Sequence, residues 1–262
     1  MKMTVGLIGG TGFEALLREG ERVKIKTPYG EVLGVEGRAN GVYVIFIPRH
    51  GFKHEVPPHK VNYRANMYAF RKRGALKVIS TCAAGSINPI MKPGELVIID
   101  QFIDFTKARS YTYYDDRAVH VDFTEPYSPI LRRILIKNAK KLGLKIWERG
   151  CYVCTEGPRF ETKAEIMMFR LLGADVVGMT NVPEVILARE LGISYATVVI
   201  ISNFAAGIQK EVSHEEVYEV VKAKEKAVRE LIYASLPEIE RAERDKICAK
   251  MDKTVEEFMS KQ

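Results

Sequence analysis

Cysteine is scarce: four thiols in 262 residues cannot make a disulfide framework, and a chain this long buries enough core not to need one. The single C-x-x-C, Cys151-Tyr-Val-Cys154, has no second pair and no histidine at zinc-finger spacing behind it. A structural zinc site is therefore excluded and buried thiols are expected; Cys248 stands alone. Long apolar runs are missing too. Stretches such as Glu95-Leu-Val-Ile-Ile-Asp100 fall far short of the roughly 20 residues that span a bilayer. The amino terminus, Met1-Lys-Met-Thr-Val, runs into an expected strand with no signal-type segment, which makes a cytoplasmic enzyme the expectation. Blocks of like charge are also lacking. The net charge is +7, but the basic residues are scattered, and Arg71-Lys-Arg73 and Lys140-Lys141 read as solvated helix faces. No nucleic-acid or membrane partner is expected, whereas a small anionic substrate suits a modestly basic protein. Asn and Gln together number only ten against 28% charged residues, a thermophile-like balance.

What is present is alternation of short apolar runs with helical periodicity, the mark of an α/β domain. Strands are expected at Val5–Ile8, Arg22–Lys26, Val32–Val35, Val42–Ile47, Lys77–Thr81, Glu95–Gln101, Val176–Met179 and Tyr195–Ser202. Helices are expected at Asn62–Arg73, Ser128–Leu142, Thr162–Leu172, Glu184–Leu191 and His214–Ala234. A Tyr-rich loop should fill residues 106 to 125, and a lysine-rich helical tail should close the chain from about 236 to 262. With no repeat and no linker, residues 1–262 read as one domain built on a mixed, largely parallel twisted sheet flanked by helices.

Gly10-Thr-Gly-Phe-Glu-Ala15 formally matches the dinucleotide fingerprint G-x-G-x-x-A after a strand. Its context does not fit, because a βαβ unit needs a full helix before the next strand and only Glu14 to Glu19 is available. A glycine loop with a Thr hydroxyl still suits a single phosphate. Three further segments end strands in small or polar residues: Pro48-Arg-His-Gly51, Thr81-Cys-Ala-Ala-Gly-Ser86 and Gly178-Met-Thr-Asn-Val-Pro-Glu184. Strand carboxyl ends gather at one edge of a parallel sheet, so Thr11, Arg49, His50, Ala83 and Thr180 can converge on one tetrahedral oxyanion.

These runs, with Gly6-Leu-Ile-Gly-Gly-Thr-Gly12, Thr155-Glu-Gly-Pro-Arg-Phe-Glu-Thr162, Gly173-Ala-Asp-Val-Val-Gly-Met-Thr180 and Val182-Pro-Glu-Val185, resemble the trimeric purine nucleoside phosphorylases and methylthioadenosine phosphorylases. They follow that family's order to about residue 235. The resemblance implies attack of phosphate on C1′ of a purine nucleoside, with inorganic phosphate as co-substrate and no metal or organic cofactor. It places phosphate among Thr11, Arg49, His50, Cys82, Ala83 and Thr180; Cys82 departs from the Thr common in methylthioadenosine relatives, and its thiol is a weaker donor. Met179 would lie under the ribose, with Phe160, Phe204 and Ala205 near base and sugar.

The same resemblance separates substrate classes. Methylthioadenosine enzymes carry Asp residues after the strand that here ends in Ser202, where this chain has Asn203-Phe-Ala-Ala-Gly207. An amide can donate to O6 and accept from a protonated N7. Glu161 falls where 6-oxopurine enzymes accept from N1–H, although it could equally cap the helix near Thr162, and Asn203 could be a turn residue. His214 matches the position that meets a 5′-hydroxyl in ribonucleoside enzymes, and His120 the position that closes the 5′ end from a neighbouring subunit. The expectation is a 6-oxopurine nucleoside phosphorylase acting on inosine or guanosine in purine salvage, as a trimer or a dimer of trimers. Asn203, His50 and Glu161 are its expected catalytic groups. A methylthioinosine or methylthioadenosine phosphorylase is the alternative.

Overall fold

The computed structural model describes residues 4–17 and 19–262; the opening Met1–Met3 and Arg18, the latter inside the short Glu14–Glu19 stretch, lie outside it. β1 (Val5–Gly9) is buried throughout because it is paired on both edges. It runs parallel to β4 (Val42–Pro48) on one side and β5 (Lys77–Ser86) on the other, so a continuous apolar run is what its position requires. β2 (Glu21–Thr27), β3 (Gly30–Ala39) and β4 form the expected antiparallel meander. That arrangement disposes of the dinucleotide fold: the chain turns through the described residues between Gly10 and Glu21 with no helix, and the next strand is not parallel.

Among the described residues the sheet has eleven strands, and its main path runs β2-β3-β4-β1-β5-β10-β9-β7. Here β7 is Gln101–Phe105, β9 is Cys151–Thr155 and β10 is Val176–Gly178. β11 (Ser194–Phe204) lies parallel to β5 along its whole length. The short β6 (Leu96–Ile98) joins β11 to β8 (Ile146–Trp147). The single strand expected at Glu95–Gln101 is thus two, β6 and β7, on different neighbours. Asp100 makes the break, its carboxylate accepting from Gly150 N at 3.0 Å while its own N–H donates to Gly150 O. β11 also runs two residues past Ser202, because a bulge lets Ser202 slip out of register before Asn203 pairs with Gly85.

Helices cover the sheet. α1 (Tyr63–Lys72) starts on the Asn62 cap, α2 (Pro129–Lys141) on Ser128 and α3 (Lys163–Leu171) on a reciprocal Thr162–Glu165 capping box. The basic pairs Arg71–Lys72 and Lys140–Lys141 occupy the last turns of α1 and α2, where cations oppose the helix dipole. α4 (Asn181–Glu190) follows β10, and α5 (His214–Arg241) is the long helix. α5 runs past the expected stop at Ala234 in spite of Pro237. The proline cannot donate to Tyr233 O, but Asn40 Nδ2 does so at 3.0 Å. The tail ends in two short helices, α6 (Lys246–Lys250) and α7 (Asp252–Met259). Among the described residues no helix is long and apolar enough to cross a membrane. All four thiols are free, and burial pushes those of Cys82 and Cys154 up to about 12.

Candidate active site

The carboxyl ends of β1, β4, β5, β10 and β11 surround a cavity of about 340 Å³. Its wall brings together Thr11, His50, Cys82, Ala83 and Thr180 from the expected phosphate set, and Phe160, Glu161, Met179, Asn203, Ala205 and His214 from the expected substrate set. Three of the expected residues do not line it. Arg49 lies behind the glycine loop, Phe204 ends β11 half-buried and outside the wall, and His120 sits exposed on the Tyr-rich loop of this subunit.

At the anion end, the loop after β1 is closed by a bond from Phe13 N to Gly10 O (2.9 Å). Gly10 cannot carry a side chain, since a Cβ there would stand 2.8 Å from Arg49 Nη1 and 2.9 Å from Thr81 O. The Arg49 side chain is wholly buried in a two-pronged ion pair with Glu184: Nε donates to Oε2 and Nη2 to Oε1, each at 2.7 Å. Nη2 also donates to Ser80 Oγ and Nη1 to Thr81 O. Four of the five guanidinium N–H groups are thereby spent, and the remaining Nη1 hydrogen lies next to Gly10. Burial on its own would lower this pKa, but Glu184 outweighs it and the net shift is upward, so the guanidinium stays charged. Glu184 also accepts from Tyr195 Oη and Ser80 Oγ, which satisfies a carboxylate that is 0% exposed.

His50 follows directly. A carbonyl only accepts, so the 2.7 Å contact between Nδ1 and Val56 O places the proton on Nδ1 and leaves Nε2 a lone pair. Burial, then the Arg49 charge, push its pKa down to about 4, so the ring is neutral at physiological pH. Thr180 holds the N-cap position of α4 yet makes no cap bond with its side chain, which leaves the hydroxyl for the cavity.

At the opposite end, the bulge in β11 turns both Ser202 and Asn203 toward the cavity. Asn203 is 4% exposed; its Oδ1 accepts from Ser202 Oγ (2.7 Å) and its Nδ2 donates to Phe204 O (2.8 Å). One amide hydrogen and one lone pair are left for a ligand. Glu161 accepts from Thr155 Oγ1 at 2.6 Å. Burial raises its pKa above the ordinary carboxyl value, with the Thr155 bond opposing in part. Glu161 is not the helix cap, a place taken by Thr162 and Glu165. His214 opens α5 behind the Ser213 cap and lines the cavity between Val212 and Val217.

Sequence reasoning missed Glu184 and His54. Glu184 was signalled by an acid inside the apolar run Val182-Pro-Glu-Val-Ile-Leu187. His54 lines the cavity with its ring 4.6 Å from that of His50, and only its positive φ of 57° sets it apart. Among the described residues, no group of three or more His, Cys, Asp or Glu side chains is placed to hold a metal ion.

Comparison with known proteins agrees with this geometry. The family model described as the phosphorylase superfamily matches residues 4–237. A probable 6-oxopurine nucleoside phosphorylase of Dictyoglomus turgidum is 51% identical, over 94% of this chain and 95% of its own. An S-methyl-5′-thioadenosine phosphorylase of Pyrococcus furiosus is 48% identical, over 96% and 98%. Among solved structures, a methylthioadenosine phosphorylase from Schistosoma mansoni in complex with adenine superimposes with a TM-score of 0.91 at 31% identity, over 98% of both chains.

Proposed function

Because the chain belongs to the phosphorylase superfamily, we propose that this nucleoside phosphorylase acts on 6-oxopurine nucleosides, inosine and guanosine, in purine salvage in the cytoplasm. The observation that carries this reading is Glu161. Its carboxyl lines the cavity, is relieved of any capping duty and has a raised pKa. A carboxyl poised in this way accepts from the N1–H of an oxopurine, a hydrogen that adenine lacks. The free hydrogen and lone pair of Asn203 complement O6 and a protonated N7.

Catalysis is a transfer of the pentosyl group. A phosphate oxygen bonds to C1′ as the C1′–N9 bond breaks, and the electron pair passes into the purine, which takes up a proton at N7 from solvent while the monohydrogen phosphate gives up its own. The transition state carries positive charge on the ribosyl ring and negative charge on the base, so donors and anions fixed in place beforehand lower the barrier most. Thr11, Thr180 and the strand end at Cys82–Ala83 hold the phosphate. The bare Nε2 of His50 accepts the hydrogen of the monohydrogen phosphate, turning an oxyanion lone pair toward C1′. Met179 packs below the sugar, and Asn203 and Glu161 receive the leaving base.

Val212 and Val217 beside His214 favour a second reading, in which the 5′ group is a methylthio group on the same base. α3 exposes Met167, Leu171 and Leu172 at 65%, 84% and 53% beside the half-open Phe160. A partner subunit in a trimer, or in a dimer of trimers, would cover this face and bring its His120 over the 5′ end.

The test is base release from inosine, guanosine, adenosine, methylthioinosine and methylthioadenosine, with and without phosphate. Phosphate-dependent release of hypoxanthine and guanine supports the proposal. Preference for the methylthio substrates would keep the phosphate site and overturn the 5′ assignment, and preference for adenine nucleosides would overturn the roles of Glu161 and Asn203.

A further inference from the structure

A pocket that binds phosphate needs charged or hydrogen-bonding partners, and here most of the Arg49 guanidinium is spent. Among the described residues no lysine or arginine lines the cavity. The Arg49 charge is matched by Glu184, and His50 is neutral. The acidic lining residues Glu55 and Glu161 add the wrong sign. Two imidazoles remain, His214 at the start of α5 and His54 in the loop after β4.

His54 is the one built into the anion end. Its Nδ1 is 2.9 Å from Glu14 Oε1, and the same oxygen accepts from Gly12 N at 3.1 Å. The ring is thus tied to the glycine loop and packs against His50, with the His214 ring further off at 6.2 Å. Burial would raise the Glu14 carboxyl, but the bond from His54 and the backbone bonds outweigh it and bring the net shift down. Against a carboxylate, Nδ1 carries the proton and Nε2 is left for the cavity. The backbone holds this place at some cost, since φ at His54 is +57°, a region that few side chains occupy without a reason.

We propose that His54, oriented by Glu14, contacts the phosphate co-substrate through Nε2. Glu14 is its positioning residue. The proposal rests on the phosphorylase reading above, and its test separates the two. H54N keeps a residue that tolerates positive φ and removes the ring; E14Q keeps an acceptor for Gly12 N and loosens the ring.

Steady-state kinetics are measured with inosine and phosphate varied independently, alongside calorimetric titration of the free enzyme with inorganic phosphate. A charge-assisted hydrogen bond predicts a rise in phosphate KM of roughly ten- to a hundredfold for H54N. E14Q should show a smaller rise in the same direction, with inosine KM unchanged in both and phosphate affinity falling in step. An unchanged phosphate KM in H54N, or a rise shared equally by inosine KM, overturns the proposal and makes His54 a turn residue or a 5′ contact. Absence of phosphate-dependent turnover in the wild-type enzyme would instead sink the phosphorylase reading.

Discussion

Acid should destabilise this fold through His50 in a way that can be isolated. The ring is 4% exposed, and burial with the neighbouring Arg49 charge takes its pKa from 6.5 down to about 4. As pH falls through 6.5 the unfolded chain takes up a proton at this site, while the folded protein does not until about pH 4. The unfolded state therefore binds more protons in that window, and stability is lost as pH drops from about 6.5 to 4. Integration of the two titrations between pH 8 and pH 4.5 gives a loss of about 2.5 kcal/mol from this residue. Other groups titrate in the same range, so the comparison is with H50N, whose amide can still donate to Val56 O in place of Nδ1. Trp147 is the only tryptophan and is bonded through Nε1 to Glu95 at 2.6 Å, which makes its fluorescence a reporter of unfolding in urea. The wild-type free energy should fall more steeply than that of H50N, the two curves diverging by about 2.5 kcal/mol at pH 4.5. Parallel curves would refute the depressed pKa and, with it, the neutral ring whose Nε2 carries a bare lone pair.

Asn203→Asp should move preference from inosine toward adenosine or methylthioadenosine, since a carboxylate accepts from a 6-amino group and repels O6; an unchanged ratio of kcat/KM values would remove Asn203 from base recognition. His214→Val should reduce kcat/KM for inosine by roughly tenfold, the value of one hydrogen bond to the 5′-hydroxyl, and spare methylthioinosine; equal losses would mean that His214 does not meet the 5′ group. Glu184→Ala leaves the Arg49 guanidinium buried without its counter-charge, and denaturant unfolding should show a loss of about 3–5 kcal/mol. The double variant Arg49→Met, Glu184→Leu should recover much of that stability without recovering phosphate-dependent turnover. A double variant as unstable as the single would show that the charge pair is not what Glu184 contributes.

Much of the fold was legible because parallel strands must be apolar throughout and must end in turns. β1, β4, β5 and β11 were located in this way, and the runs that end them furnish most of the cavity wall. What escaped depends on partners distant in sequence. Glu95–Gln101 reads as one strand until the bond between Asp100 and Gly150 splits it. Pro237 reads as a stop until Asn40 satisfies the carbonyl it abandons. Arg49 reads as an open anion ligand, and only the meeting of β4, β5 and α4 discloses that Glu184 holds most of its hydrogen bonds. Phe204 was placed near base and sugar by family resemblance, yet it does not line the cavity as its neighbour Asn203 does, as the alternation of residues along a strand allows. The same alternation, broken once by the bulge, is why Ser202 joins Asn203 at the cavity. His54 carried no pattern at all, since its place follows from a backbone angle.

The pairing of β5 with β11 has a consequence for biosynthesis. Lys77 lies against Ser194, and Gly85 against Asn203, so the two strands whose ends form the cavity leave the ribosome far apart in time. The amino-terminal half can assemble its meander around β1, but one flank of β5 stays bare until β11 arrives. A nascent chain therefore exposes a long apolar strand edge while the stretch from Ser86 to Ser194 is made, and closure of so distant a pair is slow. A ligand that fills the whole cavity cannot template the early steps, because Ser202 and Asn203 of its wall arrive only with that last central strand.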